Sequence, residues 1–215
     1  LSQKGLKVSS AVLIAALIGV NASLTSLDLK SNGIGIEGGK AVAELLRVNG
    51  SLKSLDVGFN GIGREVALEL VSTFTQKKMT SVGLARCDLD ANAARVVAEY
   101  VRVSDSLTSL DVGFNGIGNE AALELVIIFK EKQMTSIGLA RCGLDSNTAR
   151  IVAEYVRVSD SLTEVNLDGF ALPVKKLKGT DPVERLDLSG RGLGVDSAVL
   201  IASLIGLNTI LTSLK

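Results

Sequence analysis

Asn60, Cys87, Asn115 and Cys142 share one place in a recurring pattern, and both residue types can do chemistry. The asparagines close SLDVGFN, which stands at 54–60 and again at 109–115, while the cysteines close SVGLARC at 81–87 and SIGLARC at 136–142. A thiolate would supply a nucleophile, a redox centre or a soft metal ligand. Each use needs help that the chain does not offer. There is no histidine for acid–base work or to complete a zinc site, no CxxC pair, and no GxxxxGK[ST] phosphate loop. The two cysteines are two pattern units apart, beyond the roughly 7 Å Cα separation that a disulfide spans. The expectation is therefore structural: a small buried thiol with a weak S–H donor, alternating with an amide that satisfies backbone groups where a strand ends. No catalytic residue, cofactor or metal is expected.

The elements that position these residues repeat. Residues 52–106 and 107–161 share 42 of 55 positions, and each block divides into two units opening at Leu52, Met79, Leu107 and Met134. Leu24 opens an earlier unit and Leu162 a later one, with steps of 27 or 28 residues. The shared opening is LxxLxLxxN or LxxLxLxxC, counting the opener as place 1. Alternation of side chains along a strand puts places 4 and 6 in a core and places 3 and 5 on the opposite face. Further on, Ala67, Leu70, Val71 and Phe74, like Ala122, Leu125, Val126 and Phe129, follow the helical spacing i, i+3, i+4, i+7. One strand and one helix cannot bury such faces alone; stacked copies can.

On these motifs the chain resembles leucine-rich-repeat proteins, in particular the 27–29 residue class of ribonuclease inhibitor, the Ran GTPase-activating protein and the repeat domains of intracellular nucleotide-binding immune receptors. The alternation of Asn and Cys units is also similar to ribonuclease inhibitor. The resemblance implies a right-handed α/β solenoid, a horseshoe segment with a parallel sheet on the concave side and helices on the convex side. It also implies binding of other proteins, often on the concave face. A GTPase-activating or other enzyme-regulating domain and a structural spacer or assembly element are the competing functions.

Two departures bear on the organisation of residues 1–215 as a single domain. From Leu162 the next opener, Val183, is 21 residues away, so 162–182 is a shortened repeat. Pro173 and Pro182 restrict its backbone, and an irregular turn that changes the local curvature is expected there. The second departure is a longer period: 1–28 matches 188–215 in 19 of 28 positions. Both ends fall within a repeat, so the residues read as a window on a longer array, whose open ends would stack end to end or dimerise.

Candidate binding residues lie at places 3, 5 and 8. Place 3 is Ser26, Ser54, Ser81, Ser109 and Ser136; place 5 carries Asp28, Asp56, Asp111 and Asp187, with Gly83 and Gly138 between. That surface is small, polar and mildly acidic, suited to close backbone approach or to a basic partner. Place 8 alternates Phe59, Arg86, Phe114 and Arg141. Neighbouring units would set each guanidinium beside a ring, a cation–π contact that serves either as a ladder within the fold or as a rim strip for a partner. Lys175, Lys176 and Lys178 mark the irregular turn, and Ile127 or Ile128 would reach the convex surface.

Bulk composition narrows the partner class. The 23 basic residues balance 23 acidic ones, so the net charge gives no argument for nucleic acid or an anionic membrane as ligand, and neither is expected. The runs AVLIAALIGV (11–20) and AVLIASLIGL (198–207) are half the length of a bilayer span of roughly 20 residues. No secretory signal precedes them, and two cysteines without a disulfide framework point to a reducing, cytoplasmic setting. A protein partner is the expectation.

Overall fold

The computed structural model describes Leu1–Lys215. Strands β1 (Ser26–Asp28), β2 (Ser54–Asp56), β3 (Ser81–Gly83), β4 (Ser109–Asp111), β5 (Ser136–Gly138) and β6 (Glu164–Asn166) lie side by side, all parallel. Helices α1 (Val8–Gly19), α2 (Gly35–Val48), α3 (Gly63–Phe74), α4 (Ala91–Val103), α5 (Gly118–Phe129) and α6 (Ser146–Val158) alternate with them in the chain. Register is set by the repeat. Ser26, Ser54, Ser81, Ser109 and Ser136 pair in a row, and the place-4 residues Leu27, Leu55, Val82, Leu110 and Ile137 behind them are buried.

The helical faces read from spacing form the other half of the core. Ala67, Leu70, Val71 and Phe74 on α3, and their counterparts on α5, are all buried. Ile127 is 52% exposed and Ile128 3%, so one of the pair does reach the convex surface. The helices start in two ways. Asp90 and Asp145 cap α4 and α6 by accepting from the Ala93 and Thr148 N–H groups at 2.9 and 2.7 Å. The helices of the asparagine units instead begin at Gly63 and Gly118, both at positive φ.

The shortened repeat departs from the expected turn. After β6 the chain doubles back as β7 (Ala171–Pro173), antiparallel to β6, and then forms α7 (Val174–Lys178). With too few residues for a full helical crossover, a reversal is the short route back to the core. Pro173, which has no N–H to offer a ladder, ends the strand, and Leu172, Val174 and Leu177 fill the core behind it. The parallel sheet therefore stops at β6. A separate two-stranded parallel sheet, β8 (Arg185–Leu186) with β9 (Ser213–Leu214), follows, joined by α8 (Val195–Ile205). The helix layer bridges the break: α8 packs on α6 and α7. Asp168 accepts from the Gly194 and Ser197 N–H groups at 2.8 and 3.0 Å, anchoring the α8 N-terminus.

Candidate protein-binding strip

Place 9 is buried in the four units of the paired blocks: Asn60 and Asn115 are 3% exposed, Cys87 0% and Cys142 1%. The Asn60 amide donates to the carbonyls of Leu29 (2.8 Å) and Val57 (2.9 Å) and accepts from the Asn32 N–H (2.9 Å). Asn115 repeats this with Leu84, Val112 and the Cys87 N–H. Each asparagine thus ties its own unit to the one before it. The cysteines do far less: Cys87 Sγ lies 3.7 Å from its own unit's Ala85 carbonyl, and Cys142 Sγ 3.4 Å from Val112 O. Burial pushes both thiols up to about 12, so the reactive thiolate is scarce at neutral pH.

The place-5 aspartates have a backbone role that spacing alone did not reveal. In Asp28, Asp56, Asp111 and Asp187 the carboxylate accepts from the N–H two residues on, at 2.8–2.9 Å, stiffening the exit from the strand. Asp56 and Asp111 also lean across the following unit. A Cβ on Gly83 or Gly138 would overlap their carboxylates, so those glycines leave the slot into which the aspartates fit. Lys30 reaches both, its Nζ 3.8 Å from Asp56 and 3.5 Å from Asp111. Burial holds the Asp56 carboxyl above the usual carboxylate range, opposed by the Gly58 N–H and Lys30. Together these groups floor a shallow concave cavity of about 250 Å³. Asp28 is exposed at β1 and Asp187 lies beside the second sheet, so the four aspartates do not form one row.

Place 8 is the exposed part of the site and the most unusual in backbone. Phe59, Arg86, Phe114 and Arg141 all have φ between 52° and 58°, in the left-handed region. So do Gln3 and Ser31 at the same place, whereas the shortened and final repeats put Gly169 and Gly190 there. A side chain in this conformation costs on the order of 1–2 kcal/mol that glycine avoids. The expected cation–π contacts form: Arg86 Cζ is 6.0 Å from the Phe59 ring centroid and Arg141 Cζ 5.6 Å from that of Phe114. Sequence reasoning missed two further contacts. The Phe59 and Phe114 rings meet edge to face at 5.0 Å, spanning the unit between them, and Lys30 Nζ sits 5.5 Å from the Phe59 centroid. Both arginines remain exposed.

The basic cluster is partly engaged. Lys178 donates to the Ser159 carbonyl at 2.6 Å, and burial lowers its pKa, which leaves Lys175 as the exposed member. No helix is long and apolar enough to cross a membrane.

Comparison with known proteins agrees with this architecture. A family model described as leucine-rich repeat matches residues 20–43, 48–67 and 103–126. Among solved structures, the tropomodulin C-terminal domain of Caenorhabditis elegans superposes with a TM-score of 0.56 at 11% identity, over 69% of this chain and 90% of that one. Leiomodin-1 actin-binding site 2 gives 0.56 at 15% identity, over 67% and 84%. Rad7, in its complex with Elc1 from yeast, gives 0.56 at 15%, over 76% of this chain and 38% of that one. No curated protein matches the sequence. The chain carries leucine-rich repeats and has the leucine-rich-repeat fold of these domains.

Proposed function

We propose that this protein is a non-enzymatic protein-recognition module that reads an acidic segment carrying an apolar side chain, through Phe59, Arg86, Phe114 and Arg141. The observation that carries the reading is the left-handed backbone under these four side chains. Glycine fills the same place in two other repeats, so the fold itself does not require a side chain there. An exposed cation–π contact returns about 0.5–1 kcal/mol, no more than the strain it accompanies. A ladder serving stability alone is thus a poor return, and a surface strip is the better account.

The charges favour an acidic partner. Asp56 and Asp111 are occupied by Lys30 and by backbone N–H groups, while Arg86 and Arg141 present open guanidinium edges. Arginine and aromatic side chains are also the types that carry most interface energy. One of the structural neighbours is described as an actin-binding site, in keeping with a protein partner here. Asp28 and Asp187 would supply secondary polar contacts.

Selection from a displayed random-peptide library tests this directly. Enrichment of acidic peptides with an aromatic or large aliphatic residue is expected. In the Arg86→Glu, Arg141→Glu double variant, binding should fall at least tenfold, equivalent to about 1.4 kcal/mol, while the melting temperature holds. A lower melting temperature with peptide binding intact would assign the strip to the fold.

A further inference from the structure

The two tyrosines of the chain stand at equivalent places, Tyr100 on α4 and Tyr155 on α6, and are only 2% and 4% exposed. Neither hydroxyl has a hydrogen-bond partner. An unpaired phenol in the interior costs free energy that phenylalanine at the same place would avoid. Burial pushes the Tyr100 phenol up to about 12, with the neighbouring Ser104 side chain opposing, so at neutral pH it remains an O–H donor.

Tyr100 lines a cavity of about 310 Å³ between the ends of α3 and α4. Phe74, whose ring lies 5.8 Å from that of Tyr100, and Val103 give the cavity an apolar wall. Packed repeats flank it on both sides: Lys77 reaches back to Asn49 O at 2.8 Å, and Lys132 of the following repeat reaches Ser104 O at 3.0 Å. Those lysines are thereby committed, as is Ser106, whose hydroxyl donates to Met79 O at 2.8 Å. Lys78 and Asp105 are not. Both are exposed, and they line the cavity from the loops after α3 and α4 without pairing with each other.

We infer that this cavity binds a free α-amino acid, with its carboxylate held by the Tyr100 hydroxyl and Lys78, its ammonium by Asp105, and its side chain against Phe74 and Val103. A carboxylate is an acceptor only, so it satisfies a buried O–H and a cation together, and both bonds are charge-assisted. Asp105 then calls for a cation close to that anion, and an α-amino acid carries the two on one carbon. The volume lies at the small end of the range for ligand cavities, about 300–1,000 Å³. The second block keeps Tyr155 and Asp160 but has Lys130 and Gln133 where Thr75 and Lys78 stand. Lys78 therefore distinguishes this junction from its copy. The cavity lies on the edge where the strands begin, opposite the place-8 strip that follows their ends, and the inference does not depend on that strip.

Isothermal titration calorimetry of the full chain against each common amino acid tests the inference. The best binder is then compared with its des-amino acid and with the amine that lacks the carboxylate. At least one amino acid should bind with a Kd below about 1 mM, and both truncated probes should bind at least tenfold more weakly. Tyr100→Phe should weaken binding at least tenfold without lowering the melting temperature, because it removes a hydroxyl that the fold leaves unpaired. Lys78→Gln, which brings in the residue of the second block, should weaken binding similarly in a folded chain. Failure of every amino acid to bind at about 10 mM overturns the proposal. So does binding that survives Tyr100→Phe, or a des-amino acid that binds as tightly as its parent. A lower melting temperature in Tyr100→Phe would assign the hydroxyl to the fold and would equally overturn it.

Discussion

The junctions between neighbouring units are of two kinds, and they alternate. Between the units of β1 and β2, and again between those of β3 and β4, a buried asparagine clamps both backbones and a lysine closes the far end. Lys77 donates to Asn49 O at 2.8 Å, and Lys132 to Arg102 O at 2.7 Å. Between β2 and β3, and between β4 and β5, the buried place holds only a thiol. There the surface supplies the link: an aspartate lies in a glycine slot and an arginine sits over a phenylalanine. The helices follow suit, α2 on α3 and α4 on α5 packing more extensively than α3 on α4 or α5 on α6. Asp, Phe and Asn thus travel together in one unit type, and Gly, Arg and Cys in the other, because each set completes its neighbour. The result is a chain of tightly clamped pairs joined by looser, surface-linked steps, and the exposed strip lies along the looser ones.

The sharpest way to break this comparison is to remove a clamp. Asn60→Ala strands the Leu29 and Val57 carbonyls and the Asn32 N–H in the core, and should cost about 3–5 kcal/mol in urea denaturation. Cys87→Ala, at the equivalent place, should cost only about 1 kcal/mol. Equal losses would mean that the two junctions do not differ in the way described.

Smaller in effect is closure of the slot. Gly83→Ala drives a Cβ into the Asp56 carboxylate and should destabilise the chain by about 1–3 kcal/mol. Adding Asp56→Ala should recover most of that loss, and a double-mutant cycle with no coupling would refute the interlock.

Smallest is Asp56→Asn, which keeps an oxygen for the Gly58 N–H and removes a charge that burial disfavours. With its folded pKa raised, Asp56 contributes stability that is full below the ordinary aspartate pKa of 3.8 and is lost as pH rises through the folded value. At neutral pH the substitution should therefore raise stability slightly, by less than about 1 kcal/mol. The wild type should gain on the variant as pH is lowered toward 4. Melting curves at several pH values read the difference, and an opposite slope would place Asp56 in a net favourable ion pair with Lys30.

Much of the core was legible because it obeys two short periods. Leu27, Leu55, Leu110 and the α3 and α5 faces follow from alternation in strands and i, i+3, i+4, i+7 spacing in helices, which need no knowledge of distant contacts. The pairing of Arg86 with Phe59 was also legible, since neighbouring units place equal positions side by side. The contact between Phe59 and Phe114 was not, because it depends on side chains leaning across an intervening unit. The aspartate slot escaped for the same reason: Gly83 and Asp56 are unremarkable separately and meaningful only when the carboxylate lies across the next strand. At 171–173 the residues marked a departure, but the reversal into an antiparallel strand was set by the space left at the sheet edge.

By itself the sequence determined the unit, its strand and helix faces, the buried Asn and Cys place and the order in which the two unit types alternate. Each follows from a pattern within about 28 residues that any copy must satisfy. Tertiary structure decided which junctions are clamped from inside and which from the surface, where the parallel sheet stops, and which face of a duplicated helix stays uncovered. Those outcomes depend on what lies across a junction. Leu17 and Leu204, equivalent places in the matching segments 1–28 and 188–215, show why: the first is exposed and the second buried, because burial is a property of neighbours.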